Sequence, residues 1–236
     1  MNSCLDSTGF QIVKHKSEEK EFKDEAQVKK VYYKEIEVLL KKVTGASKIF
    51  IFGHTIRRAA KSSLELSLLP SFTNSLRGPV QRVHIDQSYS AGPTYVKLHL
   101  PAEASMLLKT SYQIINIWRP IKTILKDPLA VADARSVLDN DLIPIKLIYA
   151  DREGENFAVK ARDGHKWYYI HKQTPQEVLL LKCFDSKMDG RARRVPHTSF
   201  IDEEYEREMP RESIEVRALV FHEDDDEASR LHVTNT

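Results

Sequence analysis

The spacing of hydrophobic residues changes along the chain and predicts a helix followed by many strands. Over residues 24–42, apolar positions recur at steps of three and four and Gly45 follows, which predicts an amphipathic helix that ends at the glycine. Residues 47–53 form a short apolar run that is typical of a strand. A second, short helix is predicted over residues 101–109, because proline is tolerated in a first helical turn.

The rest of the chain predicts short strands at close spacing, separated by turn sequences such as Lys-Asp-Pro, Arg-Asp-Gly and Met-Asp-Gly. These strands are 80–85, 111–118, 129–134, 144–150, 156–161, 166–171, 177–184, 196–200 and 213–221. Residues 57–80 are expected to be mainly loop. Many strands after an N-terminal helix predict an α+β, mainly β chain built as a barrel or sandwich.

Both ends of the chain are polar and are expected to lie outside the core. Residues 1–20 predict an extended arm, residues 21–222 a single domain, and residues 223–236 an acidic, flexible tail. A chain of 236 residues with 41% apolar composition is long enough for one sizeable core.

Composition and charge narrow the classes of function. The chain has 36 basic and 34 acidic residues, and a net charge of +2 offers no attraction to nucleic acid or to membrane surfaces. Its two cysteines, Cys4 and Cys183, argue against a disulfide framework and a zinc site. No run reaches the roughly eighteen apolar residues of a membrane span, and the first residues lack the apolar region of a signal peptide. We therefore expect a cytoplasmic protein without nucleic-acid or membrane partners.

A candidate metal site begins in the segment Val-His-Ile-Asp. On a strand, His84 and Asp86 point to the same face and could bind one cation, although this spacing alone is more often an exposed polar face. His197 lies just before the last long strand and offers a second imidazole. Two histidines and one carboxylate leave three positions of an iron ion open, which is enough for a bidentate keto acid and dioxygen.

The last long strand carries a candidate partner for such a keto acid. Its Arg211, Ser213, Glu215 and Arg217 share one face. Arginine binds a carboxylate through two parallel hydrogen bonds, which suits the far end of a dicarboxylate that chelates iron. An exposed stripe of arginines paired with neighbouring glutamates is the alternative for this strand alone. The order His-x-Asp, a long gap, His and then Arg-x-Ser is more specific than any of its parts.

Eight stretches through residues 8–221 match one family in order: YYKEIEVLLKKVTGASKIFIFGHTIR, RVHIDQSY, YQIINIWRPI, DPLAVADARSV, HKWYYI, EVLLLKCFDS, PHTSF and PRESIEVRALVF. Together they resemble the fungal oxygenase family called AsaB-like or gibberellin-desaturase-like, with which CmcJ-type proteins are grouped. The resemblance implies a double-stranded β-helix, or jelly roll, over residues 21–222, with flanking N-terminal helices. It also implies an oxidoreductase that uses Fe(II), 2-oxoglutarate and O₂.

The resemblance also implies roles for individual residues. His84, Asp86 and His197 match the metal positions of this superfamily, and Arg211 with Ser213 resembles its co-substrate pair. Because Arg217 resembles the second arginine of AlkB-type dealkylases, it stays a rival anchor for 2-oxoglutarate. The implied reaction is hydroxylation, desaturation or oxidative cyclisation of a small molecule, either a secondary metabolite or an amino-acid derivative, through hydrogen abstraction.

Further candidate residues lie on two aromatic strands. Asn116 shares a strand face with Trp118, and its amide could bond the co-substrate. Trp118 and Arg119 could wall the substrate pocket, although Arg119 could instead pair with an acidic side chain. Trp167 and Tyr169 share a face and are candidates for substrate contact, although aromatic stripes on strands are more often core.

Two alternative functions stay open. An AlkB-like nucleic-acid dealkylase shares the arginine pattern of the last strand, but the near-neutral charge argues against it. A catalytically silent jelly-roll partner subunit is the other, and the intact ligand residues argue against that. The sequence leaves open the substrate and whether the chain forms a homodimer.

Overall fold

Two antiparallel β-sheets make up most of the structure, a computed structural model that describes residues 3–58, 78–150 and 152–223. In chain order, the described strands are β1 (Phe10–Lys14), β2 (Lys48–Arg57), β3 (His84–Ile85), β4 (Ser111–Pro120), β5 (Leu129–Ala132), β6 (Leu142–Ile148), β7 (Glu153–Val159), β8 (Trp167–Tyr169), β9 (Glu177–Asp185), β10 (His197–Ser199) and β11 (Ser213–His222). The described α-helices are α1 (Glu25–Gln27), α2 (Tyr33–Thr44), α3 (Ala91–His99) and α4 (Ala104–Leu107).

The strands form a five-stranded major sheet and a six-stranded minor sheet. The order is β1-β9-β4-β11-β2 in the major sheet and β6-β7-β3-β10-β5-β8 in the minor sheet. Strand β10, although late in the chain, lies between β3 and β5, so that distant segments become neighbours. This topology confirms the predicted mainly β, jelly-roll fold.

One hydrophobic core lies between the two sheets and a second lies between the major sheet and the N-terminal helices. Strand β4 contributes to both, because Ile114 and Trp118 belong to the inner core and Ile115 and Ile117 to the outer one. All ten residues of β4 are buried, as expected for a strand that is covered on both faces. Their alternation decides which side chains face the space between the sheets.

The predicted N-terminal helix is present, with one irregular turn. Helix α1 continues through the π-helical turn Val28–Tyr32 into α2. Tyr32, Ile36 and Leu40 follow at steps of four and are buried in the outer core. The helix ends at Gly45, whose φ of 71° is a left-handed conformation that glycine adopts without steric strain.

The structure departs from the sequence-based expectations in several places. Part of the predicted arm forms β1, which pairs with β9 at the edge of the major sheet. The strand expected over 80–85 shrinks to β3, and α3 was not predicted. Most of the expected loop over 57–80 and nearly all of the expected tail lie outside the described residues. Within the three described ranges, no helix combines the length and apolar character needed to cross a bilayer.

Candidate active site

His84, Asp86 and His197 meet where β3 and β10 pair in the minor sheet. The two histidines are direct cross-strand partners, and their ring centroids lie 4.4 Å apart. Nε2 of His84 lies 3.3 Å from Oδ1 of Asp86, and Nε2 of His197 lies 3.9 Å from the same oxygen. One nitrogen or oxygen atom from each residue lies within 4.8 Å of the others, which is the arrangement of a metal site with three protein ligands.

Hydrogen bonds on the outer side of the cluster fix how these side chains point. Nδ1 of His84 donates to the carbonyl oxygen of Arg82 at 2.7 Å, and Nδ1 of His197 donates to that of Val195 at 3.2 Å. Both Nε2 atoms therefore face the shared centre, since carbonyl groups hold the opposite ring nitrogens. The donor set of two imidazoles and one carboxylate fits Fe(II) and leaves coordination positions for other ligands.

The charges at the centre also suit a cation. Burial, reinforced by the neighbouring His84, lowers the pKa of His197 to about 4, so that this imidazole is neutral at pH 7. Burial acts to raise the pKa of Asp86, but the hydrogen bond with His84, together with the charges that His197 and His84 carry when protonated, outweighs it and holds this pKa below its usual range. The site therefore offers a carboxylate anion and an unprotonated imidazole, which are the forms that bind metal.

A cavity of about 40 Å³ adjoins the three side chains, between the two sheets. Besides the triad, its wall contains Arg57, Val80, Trp118, Leu129, Thr198, Ser199, Arg211 and Glu215. The cavity thus connects the candidate metal centre with the arginine of the last strand that the sequence singled out.

Arg211 is a buried cation at this cavity with incomplete hydrogen bonding. Its Nη1 donates to the carbonyl oxygen of Asp127 at 2.8 Å and to Oγ of Ser199 at 3.4 Å. Its Nε is buried without a hydrogen-bond partner in the described chain, and its guanidinium lies 5.4 Å from the ring centre of Trp118. Burial, with the charge of Arg57, lowers the pKa of Arg211 to about 10, which leaves it cationic at pH 7. A carboxylate could accept hydrogen bonds from this buried, positively charged guanidinium.

Two charged residues of the cavity wall were not assigned to the site from the sequence. The carboxyl group of Glu215 makes no hydrogen bond within the described chain, and burial together with the nearby Asp86 raises its pKa. Arg57 donates from Nη1 to the carbonyl oxygen of Gly78 at 2.9 Å. Alternation along residues 211–217 of the sequence groups Glu215 with Arg211, and that was the available signal. Arg57 was not identified because β2 continues to residue 57, whereas the predicted strand ended at residue 53.

The remaining candidates for co-substrate contact are spread along the inward face of the major sheet. Ser213 is buried two residues beyond Arg211. Asn116 is fully buried, and its Nδ2 donates to Oδ2 of Asp86 at 2.6 Å, while its Oδ1 has no partner in the described chain. Arg217 does not line the cavity; its Nη2 donates to Oγ1 of Thr55 at 2.9 Å.

The structure separates Arg119, Trp167 and Tyr169 from this site. Arg119 points to the outer side of the major sheet, opposite to Trp118, and donates to the hydroxyl of Tyr32 at 2.9 Å and to two backbone carbonyl oxygens. Trp167 and Tyr169 are 37% and 47% exposed on β8, because the middle residue of that strand faces the inner core. None of the three lines the cavity beside the triad, and Arg119 is engaged on the other side of the sheet. Contact of Trp167 and Tyr169 with the substrate stays a prediction.

Comparison with known proteins adds an independent line of evidence. Residues 1–221 match the family described as "Oxidoreductase/YMDC permease-like domain". The chain is 40% identical over 237 residues to the hydroxylase/desaturase efuI of Hormonema carpetanum, which covers 93% of this chain and 79% of that protein. It is 41% identical over 238 residues to the hydroxylase/desaturase CTB9 of Cercospora beticola, and the match covers 94% of this chain and 73% of that protein. The solved structure of the iron and alpha-ketoglutarate-dependent endoperoxidase NvfI matches with a TM-score of 0.79 at 27% identity, covering 92% of this chain and 80% of that chain.

Proposed function

The chain belongs to the family of fungal iron- and 2-oxoglutarate-dependent hydroxylases, desaturases and dioxygenases, and we propose that its own His84, Asp86 and His197 bind the Fe(II) ion. As the resemblance implied, it is an oxidoreductase whose cofactors are Fe(II), 2-oxoglutarate and O₂. The observation that supports the ligand assignment is the convergence of two Nε2 atoms on Oδ1 of Asp86.

Arg211 is proposed as the group that binds the distal carboxylate of 2-oxoglutarate. It lines the cavity beside the triad, it is buried, and its Nε lacks a partner in the described chain. Ser213, on the same face, is proposed to assist it. Arg217 is the weaker candidate for this role because it lies outside the cavity wall.

The protein contributes orientation and exclusion of water. Backbone carbonyl groups hold both imidazoles, and Asn116 turns Asp86 so that Oδ1 faces them. Trp118 and Leu129 give the cavity an apolar wall, which strengthens the electrostatic contacts inside it. When bound, iron and its co-substrate supply the oxidising chemistry that removes hydrogen from an unactivated C–H bond.

The substrate is proposed to be a small molecule of fungal secondary metabolism. Similar proteins include an endoperoxidase of known structure and a sequence relative named for aspirochlorine biosynthesis. The net charge of +2 provides no basic surface for nucleic acid, which supports a small molecule over a nucleic-acid substrate. We also propose a cytoplasmic location, as the composition predicted. A homodimer stays a prediction.

Anaerobic titration tests the metal assignment. Addition of Fe(II) and then 2-oxoglutarate to the wild-type protein is expected to produce a weak metal-to-ligand absorption band. His84→Ala and Asp86→Ala should abolish both the band and succinate release, whereas His171→Ala, which removes an exposed histidine, should change neither. A band that persists in either ligand variant would show that other residues bind the ion. Absence of the band in the wild-type protein would instead support the alternative that the chain is a catalytically silent partner subunit.

A further inference from the structure

Arg217 lies near the candidate metal centre but outside the cavity wall that Arg211 lines. Arg217 lies on β11, whereas Arg211 precedes this strand by two residues, and their six-residue separation spans at most about 20 Å at a rise of about 3.3 Å per residue. Across the sheet, Arg217 is opposite Asn116 on one side and Gly53 on the other. Because Asn116 bonds Asp86, its cross-strand partner Arg217 is close to the centre, although it does not line the proposed 2-oxoglutarate cavity.

The guanidinium of Arg217 is not neutralised by a paired carboxylate. Its Nη2 donates to the neutral Oγ1 of Thr55, and its Nε is buried without a partner in the described chain. No carboxylate of the described residues lies within 4.0 Å of it, although Glu215 is on the same strand face. Partial burial of an arginine with unfilled hydrogen bonds costs free energy, and an anion that accepts those hydrogen bonds would offset this cost.

Gly53 leaves one side of this guanidinium open. A Cβ atom added at Gly53 would lie 3.8 Å from Nη2 of Arg217, so that a larger side chain there would cover the group. Strand β2 is the edge strand of the major sheet, and all its residues are only partly buried. The open side of Arg217 therefore faces an accessible part of the barrel.

Aromatic rings stand beside this opening. Phe52 stacks on His99 with ring centroids 4.9 Å apart and 21° between the planes, and it lies 5.4 Å from Tyr95. All three rings are partly buried. The register of β2 shifts here, so that Phe52 and Gly53 together lie opposite Arg217, and Phe52 and Tyr95 both pack against the inner core. The charge of Arg217 also acts to lower the pKa of Tyr95 and of His99, although burial has the larger effect on both. Cation and rings thus belong to one surface.

The Tyr95 side of this surface connects directly to the metal-binding segment. Burial raises the pKa of Tyr95, and the side chain of Gln87, the residue that follows Asp86, is close enough to its hydroxyl to act in the opposite direction. Oε1 of Gln87 is buried and has no partner in the described chain. A molecule held against these rings would therefore lie next to the candidate iron centre.

We propose that Arg217 and the rings of Phe52, Tyr95 and His99 bind the organic substrate, and that this substrate is a planar, unsaturated small molecule that carries a carboxylate. The inference rests on the proposed function, because it places the substrate beside the iron ligands. Arg217 would bind the carboxylate through paired hydrogen bonds, and the rings would stack on the unsaturated part. Arg217 is then a binding residue for substrate, and Arg211 serves the co-substrate.

A matched pair of ligands tests the charge requirement. With the protein loaded anaerobically with Fe(II) and 2-oxoglutarate, 2-naphthoate and 2-naphthamide are titrated and binding is followed by quenching of tryptophan fluorescence. The wild-type protein should bind the carboxylate about tenfold more tightly than the amide, as expected for one charge-assisted pair. Arg217→Gln should remove this preference and leave the absorption band of the Fe(II)–2-oxoglutarate complex unchanged.

Two further variants separate charge from stacking. Lys97→Gln removes an exposed cation from α3 and should keep the preference for the carboxylate. Phe52→Leu should weaken both ligands by a similar factor, because it removes a ring and no charge.

Three results would overturn the proposal. The first is a wild-type protein that shows the band but binds 2-naphthoate and 2-naphthamide equally well, or binds neither of them. The second is a carboxylate preference that survives Arg217→Gln. The third is loss of the band in Arg217→Gln, which would mean that Arg217 positions Asp86 or serves 2-oxoglutarate. Absence of the band in the wild-type protein before any naphthyl ligand is added would instead refute the iron assignment itself.

Discussion

Asn116 donates a hydrogen bond from Nδ2 to Oδ2 of Asp86 over 2.6 Å, and this bond links the two sheets of the barrel. Asn116 belongs to the major sheet, whereas Asp86 directly follows β3 of the minor sheet. With Oδ2 held in this way, Oδ1 is the oxygen that faces both histidines. The bond therefore orients a candidate ligand without contacting the ion.

Replacement of Asn116 by alanine is expected to weaken Fe(II) binding about 10- to 100-fold, which is typical of the loss of a group that orients a metal ligand. The affinity can be measured by anaerobic titration, with circular dichroism to show that the fold persists. Asn140→Ala removes an exposed asparagine and serves as the control. Unchanged affinity in Asn116→Ala would mean that Asp86 is oriented by other contacts.

Replacement of Arg211 by alanine is expected to raise KM for 2-oxoglutarate about 10- to 100-fold, because a buried hydrogen bond to a charged group is worth about 1.5–3 kcal/mol. Fe(II) affinity should change little, since Arg211 does not contact the triad. Arg211→Lys should recover only part of the effect, because lysine lacks the planar pair of donors. If Arg217→Gln raises KM for 2-oxoglutarate and Arg211→Ala does not, the anchor has been misassigned.

Lys182 is a fully buried cation, and its removal is expected to be costly. Its side chain is 0% exposed and its Nζ lies 2.7 Å from Oδ2 of Asp185 and 2.6 Å from Oδ1 of Asp6. Lys182→Met would leave the buried Asp185 without its cation and should lower the free energy of unfolding by about 3–5 kcal/mol in urea denaturation. Lys14→Met breaks an exposed pair with Glu177 and should cost less than about 1 kcal/mol. Similar losses in both variants would contradict this distinction.

Asp6 is expected to make stability depend on acid pH. Burial acts to raise its pKa, but the hydrogen bond and charge of Lys182, with the charge of Arg191, outweigh burial and lower it. The pKa of Asp6 is lower in the folded state than in the unfolded state. Its contribution to the free energy of unfolding is therefore present above about pH 4 and is lost as the pH falls through the folded-state pKa. The Tm difference between the wild-type protein and Asp6→Asn should therefore shrink between pH 5 and pH 3, measured by thermal scans at about unit steps. A difference that stays constant over this range would exclude the ion pair as its cause.

Local periodicity was enough to predict several parts of the site. Residues two apart on a strand share a face, so that the order of the residues alone groups His84 with Asp86, and likewise Arg211 with Glu215. The N-terminal helix was equally predictable, because its apolar positions recur at helical spacing and a glycine ends it.

The same periodicity could not tell which face of a strand points inward. Trp118 and Arg119 are neighbours on β4 and must point in opposite directions, yet both faces of this strand are buried. Only packing against α2 and its preceding turn shows that Arg119 belongs to the outer core with Tyr32. Helix α3 was not predicted. Glycine is a poor helix former, but Gly92 is needed in this helix because a Cβ atom there would lie 2.4 Å from the ring of Phe184.

The sequence by itself determined the family, the mainly β composition and the residue types that can bind iron and a dicarboxylate, because these are written in local order and spacing. Tertiary structure alone decided that His197 pairs with His84, that Asn116 reaches Asp86 from the other sheet, and that Arg211 but not Arg217 lines the cavity. These relationships join residues far apart in the chain. They depend on which strands pair and which faces are buried, and both follow from the packing of the whole barrel.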